Sequence, residues 1–206
     1  MVTAASPSRT PHEFRSRDFV GGHPAIDFVN TVTARNTAAP VDWLDGYATL
    51  LRWASLSALT IPAAAAAIEP DGADARTEMR RCRALREALY ATMTAVLDGS
   101  PVPRTAAATL QTNWRHAATH AHLDLSSTPF HLRYDRPGPA LSVIRRTLTA
   151  AAVELLTDLP RERLRTCPGK RCGWIFLDTS KAGRRQWCDM ATCGTADKNR
   201  RRRPNP

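Results

Sequence analysis

Apolar residues recur at intervals of three and four along much of the chain, the mark of helices that bury one face. The longest such run, about Asp74 to Leu97, aligns Met79, Cys82, Leu85, Leu89, Met93 and Val96, and Gly99 stops it. The spacing predicts a second helix over about Asp42–Leu56, with Asp42 as N-cap and Leu44, Tyr47, Leu51 and Ala54 on one face. Two more are expected over about Arg104–Ala121 and about Ala140–Thr157, the latter turning Leu141, Ile144, Leu148, Ala152 and Leu155 inward before Pro160. Pro62 to Ile68 reads as a short helical turn. Partial alternation through Leu123, Leu125, Phe130, Leu132 and Tyr134 predicts a hairpin, ended by Pro137-Gly138-Pro139. Phe19–Thr33 opens on a Gly-Gly turn and holds Ile26, Phe28 and Val29; it suits a strand or the start of a helix, and periodicity does not decide between them.

Length adds a bound. A chain of 206 residues, 43% hydrophobic and 23% charged, suits one globular domain with a small satellite. Residues 1–17 are polar, with Pro7 and Pro11, and are expected as a mobile arm. Residues 18–159 are expected as a helical body and residues 160–206 as a separate module on a short linker, resting against the body. Neither a secretory signal nor a run of ~18 apolar residues is present, so the reading is a soluble, cytoplasmic protein with no membrane partner.

Charge changes the picture through its location. The net charge is +10, of which Arg161–Pro206 supplies +9 from ten Arg and three Lys against four acids. A near-neutral body thus carries a basic end, which is an electrostatic footprint for a polyanion; a merely solubilising tail is the plainer reading of the same run.

Four of the five cysteines fall in that basic end, as Cys167-x4-Cys172 and, fifteen residues on, Cys188-x4-Cys193. Two pairs of soft ligands on two turns supply the tetrahedron that Zn²⁺ takes. Pro168 and Gly169 allow a tight turn in the first pair. Trp174–Leu177 reads as a strand, Lys181–Arg184 as a turn and Gln186-Trp187 as the start of a return strand. Thr195 to Arg203 reads as a basic helix behind the last ligand. The fold class expected is therefore α+β: a mostly helical body with a small β-hairpin element, plus a C-terminal treble-clef-like four-cysteine zinc module. Such a small module has little apolar core, so metal binding contributes on the order of 10 kcal/mol to its folding. Trp174 and Trp187 are expected in its mini-core rather than stacked on bases. Arg184, Arg185, Lys198, Arg200, Arg201, Arg202 and Arg203 are the expected nucleic-acid contacts, since the guanidinium fork suits phosphate and guanine edges.

CGWIFLDTSKAGRRQWCDMATCG resembles the CGNR zinc finger, and FVGGHPAIDFVNT resembles the opening of the ABATE domain. The resemblance implies a stress-induced transcription regulator whose finger binds DNA, with Cys167, Cys172, Cys188 and Cys193 as metal ligands. This chain departs from the naming motif: Thr195 stands where the family has Asn, and Ala196 where it has Arg. Thr195 remains able to cap a helix.

Among other polar groups, His23, Asp27, Asn30 and Thr31 are the first candidates for a ligand pocket, with turn and cap duty as the alternative. His116 and His120 stand four apart but lack the Glu of a zinc-protease helix, and Cys82 lies on an apolar face. No nucleophile elbow, phosphate loop or carboxylate pair is present, so no catalytic residue is expected. The reading is a zinc-dependent DNA-binding regulator whose body senses a small-molecule effector or forms a homodimer. The alternatives are an RNA- or ribosome-associated zinc protein and a protein-interaction module.

Overall fold

The computed structural model describes residues 11–59, 72–126, 128–135 and 140–202. Within them the chain runs α1 (Pro24–Val29), β1 (Val32–Thr33), β2 (Val41–Asp42), α2 (Tyr47–Leu56), α3 (Ala73–Asp98), α4 (Arg104–Ala118), β3 (His122–Asp124), β4 (His131–Arg133), α5 (Val143–Thr157), β5 (Leu164–Thr166), β6 (Ile175–Leu177) and α6 (Thr195–Arg202). The strands form three separate antiparallel pairs, β1–β2, β3–β4 and β5–β6. The architecture is α+β, mostly helical, with a four-cysteine cluster at the C-terminal end. Among the described residues, no helix is long and apolar enough to cross a membrane.

α3 buries the stripe expected of it, Met79, Cys82, Leu85, Leu89 and Met93, and stops at Gly99, whose φ of 65° is the left-handed conformation glycine adopts without strain. Ile144, Leu148, Ala152 and Leu155 of α5 meet it in the core. A buried polar knot ties the three long helices: Arg145 of α5 donates to Glu78 of α3 at 2.5 Å and to Asn113 of α4 at 2.7 Å. The segment that periodicity left open is helical: His23 Nδ1 accepts from the Ala25 N–H, and Pro24 takes the first helical position. The hairpin expected over 123–134 is β3–β4, with Leu123 opposite Leu132.

One helix starts later than expected. Asp42 lies in β2 and does not cap a helix; both its carboxylate oxygens take the Arg86 guanidinium, at 2.7 Å each, and α2 begins at Tyr47 after Gly46. A charge pair from 44 residues away claims the side chain that looked like a cap. The turn expected over 62–68, the Pro137-Gly138-Pro139 break and Arg203 lie outside the described residues. Of the segment expected as an arm, residues 11–17 lie against the body, where the His12 ring stacks on Trp43 at 3.8 Å.

The C-terminal module shares the body's core. Leu164, Ile175 and Leu177 belong to the same buried cluster as Phe28, Leu85 and Leu148. Asn30 closes the seam like an extra strand residue, donating to the Ile175 carbonyl at 2.8 Å and accepting from the Ile175 N–H at 3.0 Å. Leu177 N–H donates to the Gly21 carbonyl at 2.8 Å, and Asn36 Nδ2 to the Gly169 carbonyl at 2.7 Å. Gly173 has φ 68°, and a Cβ there would lie 2.9 Å from the Asn36 backbone nitrogen, so both conformation and space require glycine.

Candidate metal centre and its basic surround

Cys167 and Cys172 sit in the loop of the β5–β6 hairpin, which Cys167 N–H closes by donating to the Trp174 carbonyl at 2.7 Å. This differs from the pairing expected from sequence: β6 pairs with β5, ahead of the first cysteine, and Gln186-Trp187 forms no strand. The reason lies in Asp178, an acid that sequence reasoning did not single out. Its buried carboxylate accepts from the Ser180 N–H and hydroxyl and from the Arg185 N–H, pinning 178–185 as a compact loop. Arg185 then turns inward. Its guanidinium donates to the carbonyls of Val20, Trp187 and Cys188 and lies 4.6 Å from the Phe176 ring centre.

Cys188 ends this loop, and Cys193 lies in a single wide turn, Met190–Gly194, that leads into α6. Asp189 caps that turn, accepting from Ala191 and Thr192 N–H. Thr195 does not cap; its hydroxyl donates to the Met190 carbonyl at 3.1 Å.

These elements bring the four sulfurs within 4.8 Å of one another, with Cys172 to Cys188 and Cys188 to Cys193 each at 3.6 Å. A tetrahedron of ~2.3 Å metal–sulfur bonds has edges of about 3.8 Å, so the arrangement fits a metal ion. Protons do not fit it as well. Cys167 is held well below the usual thiol range by the thiols of Cys172 and Cys188 that bond to it, and both of those are pushed up by the same contacts. Four thiols so close cannot all ionise without a cation among them. Trp174 packs edge-on against Trp43 at 5.4 Å, and Trp187 packs on the cysteine cluster, so both belong to the mini-core.

Around the centre the cations divide into two kinds. Arg200 and Arg201 both bind the buried carboxylate of Asp197, and Arg185 is committed to carbonyls. Arg184, Lys198 and Arg202 are exposed, with no ion pair among the described residues. The same holds for Lys170 and Arg171, next to Cys172, which sequence reasoning did not select. Their signal was position: they flank a ligand. Lys170, Arg171, Trp187, Ala196 and Arg200 line a cavity of about 410 Å³ between the first cysteine loop and α6, and the small Ala196 side chain forms part of its wall.

The four residues expected to form a ligand pocket are not brought together as one. Asn30 is the seam residue described above. Thr31 donates to the Phe28 carbonyl and accepts from Arg86, and Asp27 Oδ1 accepts from the buried Gly21 N–H at 2.7 Å. Burial pushes the Asp27 carboxyl up to about 7, against the Gly21 bond and the Arg185 charge. His23, by contrast, borders a cavity. With Trp114, Arg133, Tyr134, Thr147 and Glu154 it lines a cleft of about 850 Å³ between α1, α4, β4 and α5. Burial lowers its pKa, and since Nδ1 accepts from Ala25, Nε2 carries the proton of the neutral ring.

Residues 22–159 match the ABATE family, described as a putative stress-induced transcription regulator, and residues 163–205 match the CGNR zinc finger. No curated protein matches the chain.

Proposed function

The chain belongs to the ABATE family and carries a CGNR zinc finger, and from that premise we propose that it is a zinc-dependent transcription regulator that binds duplex DNA. The observation that carries this reading is the surface around the cysteine cluster. Arg184, Lys198 and Arg202, joined by Lys170 and Arg171, present unpaired cations there, whereas the neighbouring Arg185 is held by backbone carbonyls and Arg200 and Arg201 share the Asp197 carboxylate. Zn²⁺ suits the all-sulfur donor set: bound to Cys167, Cys172, Cys188 and Cys193, it would cross-link the β5–β6 loop to the start of α6 and fix those cations relative to one another. The lysines and arginines would sit on the phosphate backbone, and selectivity would come from the few that reach base edges. Arg185 plays no part in this contact.

The body would serve as the sensor. The cleft at His23 has the size of a small-molecule site and mixes an aromatic wall with His, Arg and Glu side chains. Because α1 and β6 share the Asn30 seam, a ligand beside His23 would act on the same element that positions the metal centre.

The test is titration of the zinc-loaded chain onto duplex DNA from its own upstream region at about 150 mM salt, against scrambled duplex and structured RNA. A preference of ~10³-fold for the cognate duplex is expected. Equal binding to every polyanion, collapsing with salt, would reduce the surface to a phosphate-neutralising patch. Better binding to structured RNA would favour the RNA-associated reading, and no polyanion binding would favour a protein partner.

A further inference from the structure

The β3–β4 hairpin is turned the wrong way round for a sheet on a globular body. An antiparallel sheet with one wet face sets apolar side chains inward and polar ones outward. Here Leu123 and Leu132, directly opposite each other, are both 57% exposed, and Leu125 and Phe130, just beyond them towards the turn, are 61% and 58% exposed. The polar residues that alternate with them are the better buried. Asp124 pairs with Arg133 at 2.7 Å and His122 stands 3.6 Å from Asp135, each less than a third exposed. Among the described residues seven large apolar side chains stand out in solvent; four are on this hairpin, and Leu56, Val102 and Met190 lie in three other parts of the chain.

Such a face needs a cover. Among the described residues no third strand extends the hairpin, and two strands are marginal in water unless their apolar side is packed. The chemistry of the face decides what covers it. Its acids and bases are paired with one another and better buried than its apolar side, so a phosphate backbone or a charged peptide finds no ionic partner there. A second copy of the chain brings the same uncharged patch, and a two-fold contact sets apolar side chains against their like. Charge permits the approach: +9 of the net +10 lies beyond residue 160, so two bodies meet close to neutral while the two basic ends repel and point apart. Area supports it as well. The four side chains offer roughly 450 Å². That is the apolar core of an interface that takes about 800 Å² from each partner, and the exposed Ser126, Thr128 and His131 stand beside it as a polar rim.

We propose that the apolar face of the β3–β4 hairpin is the contact through which two copies of this chain form a two-fold dimer. The contact lies next to the His23 cleft, whose wall includes His131, Leu132 and Arg133 of β4. It uses none of the cations around the cysteine cluster, and it stands whether or not the chain binds DNA.

The experiment follows the metal-loaded full chain, freed of nucleic acid, by sedimentation velocity from about 1 to about 100 µM and at about 150 and about 500 mM salt. A species of twice the chain mass is expected to dominate at the upper end at both salts, because an uncharged contact is not screened. Leu123→Glu combined with Phe130→Glu puts like charges on both sides of the contact and is expected to raise the dimer dissociation constant at least ~100-fold. Both side chains are exposed in the single chain, so the variant should keep the wild-type fold by circular dichroism. Hydrogen exchange of the wild type at low and high concentration is expected to show protection gained at 122–125 and 130–133. A chain that stays monomeric throughout overturns the proposal and leaves the face to an unlike partner or a lipid surface. A dimer that survives the double substitution overturns it, as does protection gained elsewhere and not on the hairpin. Should the double variant not fold, the exchange comparison decides by itself.

Discussion

The two cysteine pairs hold one centre from opposite structural positions. The first pair rides on β5–β6, whose Leu164, Ile175 and Leu177 are part of the body's hydrophobic core and whose backbone is bonded by Asn30 and Gly21. The second pair rides on a loop and a short helix in which Gly194 and Asp197 are the buried residues beyond Cys188. Apolar burial keeps the inner half in place; beyond the Arg185 bonds to Val20, Trp187 and Cys188, the outer half would depend on a bound metal. The usual picture of a zinc finger, folded throughout by its ion, would then describe only half of this one.

Metal removal is the strongest way to break that comparison. Chelation is expected to release 186–202, with the protection of α6 amides lost and a destabilisation on the order of 10 kcal/mol confined to that segment. β5, β6 and α3 should stay protected in hydrogen exchange, and loss of protection at Ile175 would show that the two halves do not differ. Next in size, Asn30→Ala leaves the Ile175 peptide unpaired inside the seam and is expected to cost about 2–3 kcal/mol in urea unfolding. Arg185→Ala should cost about 2 kcal/mol by the same measurement, against less than ~0.5 for the exposed Arg184→Ala. Equal values would return Arg185 to the outer, ligand-facing set.

A pH series probes the seam from the side of α1. Asp27 has a folded pKa of about 7, above its unfolded value near 4. Between those limits the native state keeps a proton that the unfolded state has lost, so stability falls as pH rises from about 4 to about 7. Asp27→Asn, whose Oδ1 still accepts from Gly21, is expected to remove that slope and to gain about 1–2 kcal/mol relative to the wild type at about pH 5.5 compared with pH 4. The smallest effect belongs to single surface charges. Lys198→Ala should lower the salt dependence of DNA binding by about one unit of slope while leaving unfolding unchanged.

What could be read from the amino acids follows the range of the forces involved. α3 and α5 were legible because a repeat of three and four persists over many turns and Gly99 ends one of them. The cysteines were legible because their ligand chemistry fixes their type and spacing. Asp42 misled because a cap and an ion-pair acid look alike, and Arg86 lies 44 residues away. Strands of three residues carry too little pattern to choose a partner, so β6 was matched to the wrong neighbour. Arg184 and Arg185 are identical letters side by side; only the folded loop sends one to solvent and the other to three carbonyls. Asn30 bonds a backbone, and a backbone leaves no signature in the residue opposite.

Asn30 and Ile175 also set an order of events during synthesis. The two are 145 residues apart, so when α1 leaves the ribosome its partner has yet to be made. Until then, the faces that α1 and α3 turn toward Leu164 and Leu177 have nothing to cover them. Contacts of such long range form late and leave apolar surface open to chaperones and to other nascent chains. The match boundary at residue 159 is therefore not a folding boundary: a chain stopped there lacks part of its own core.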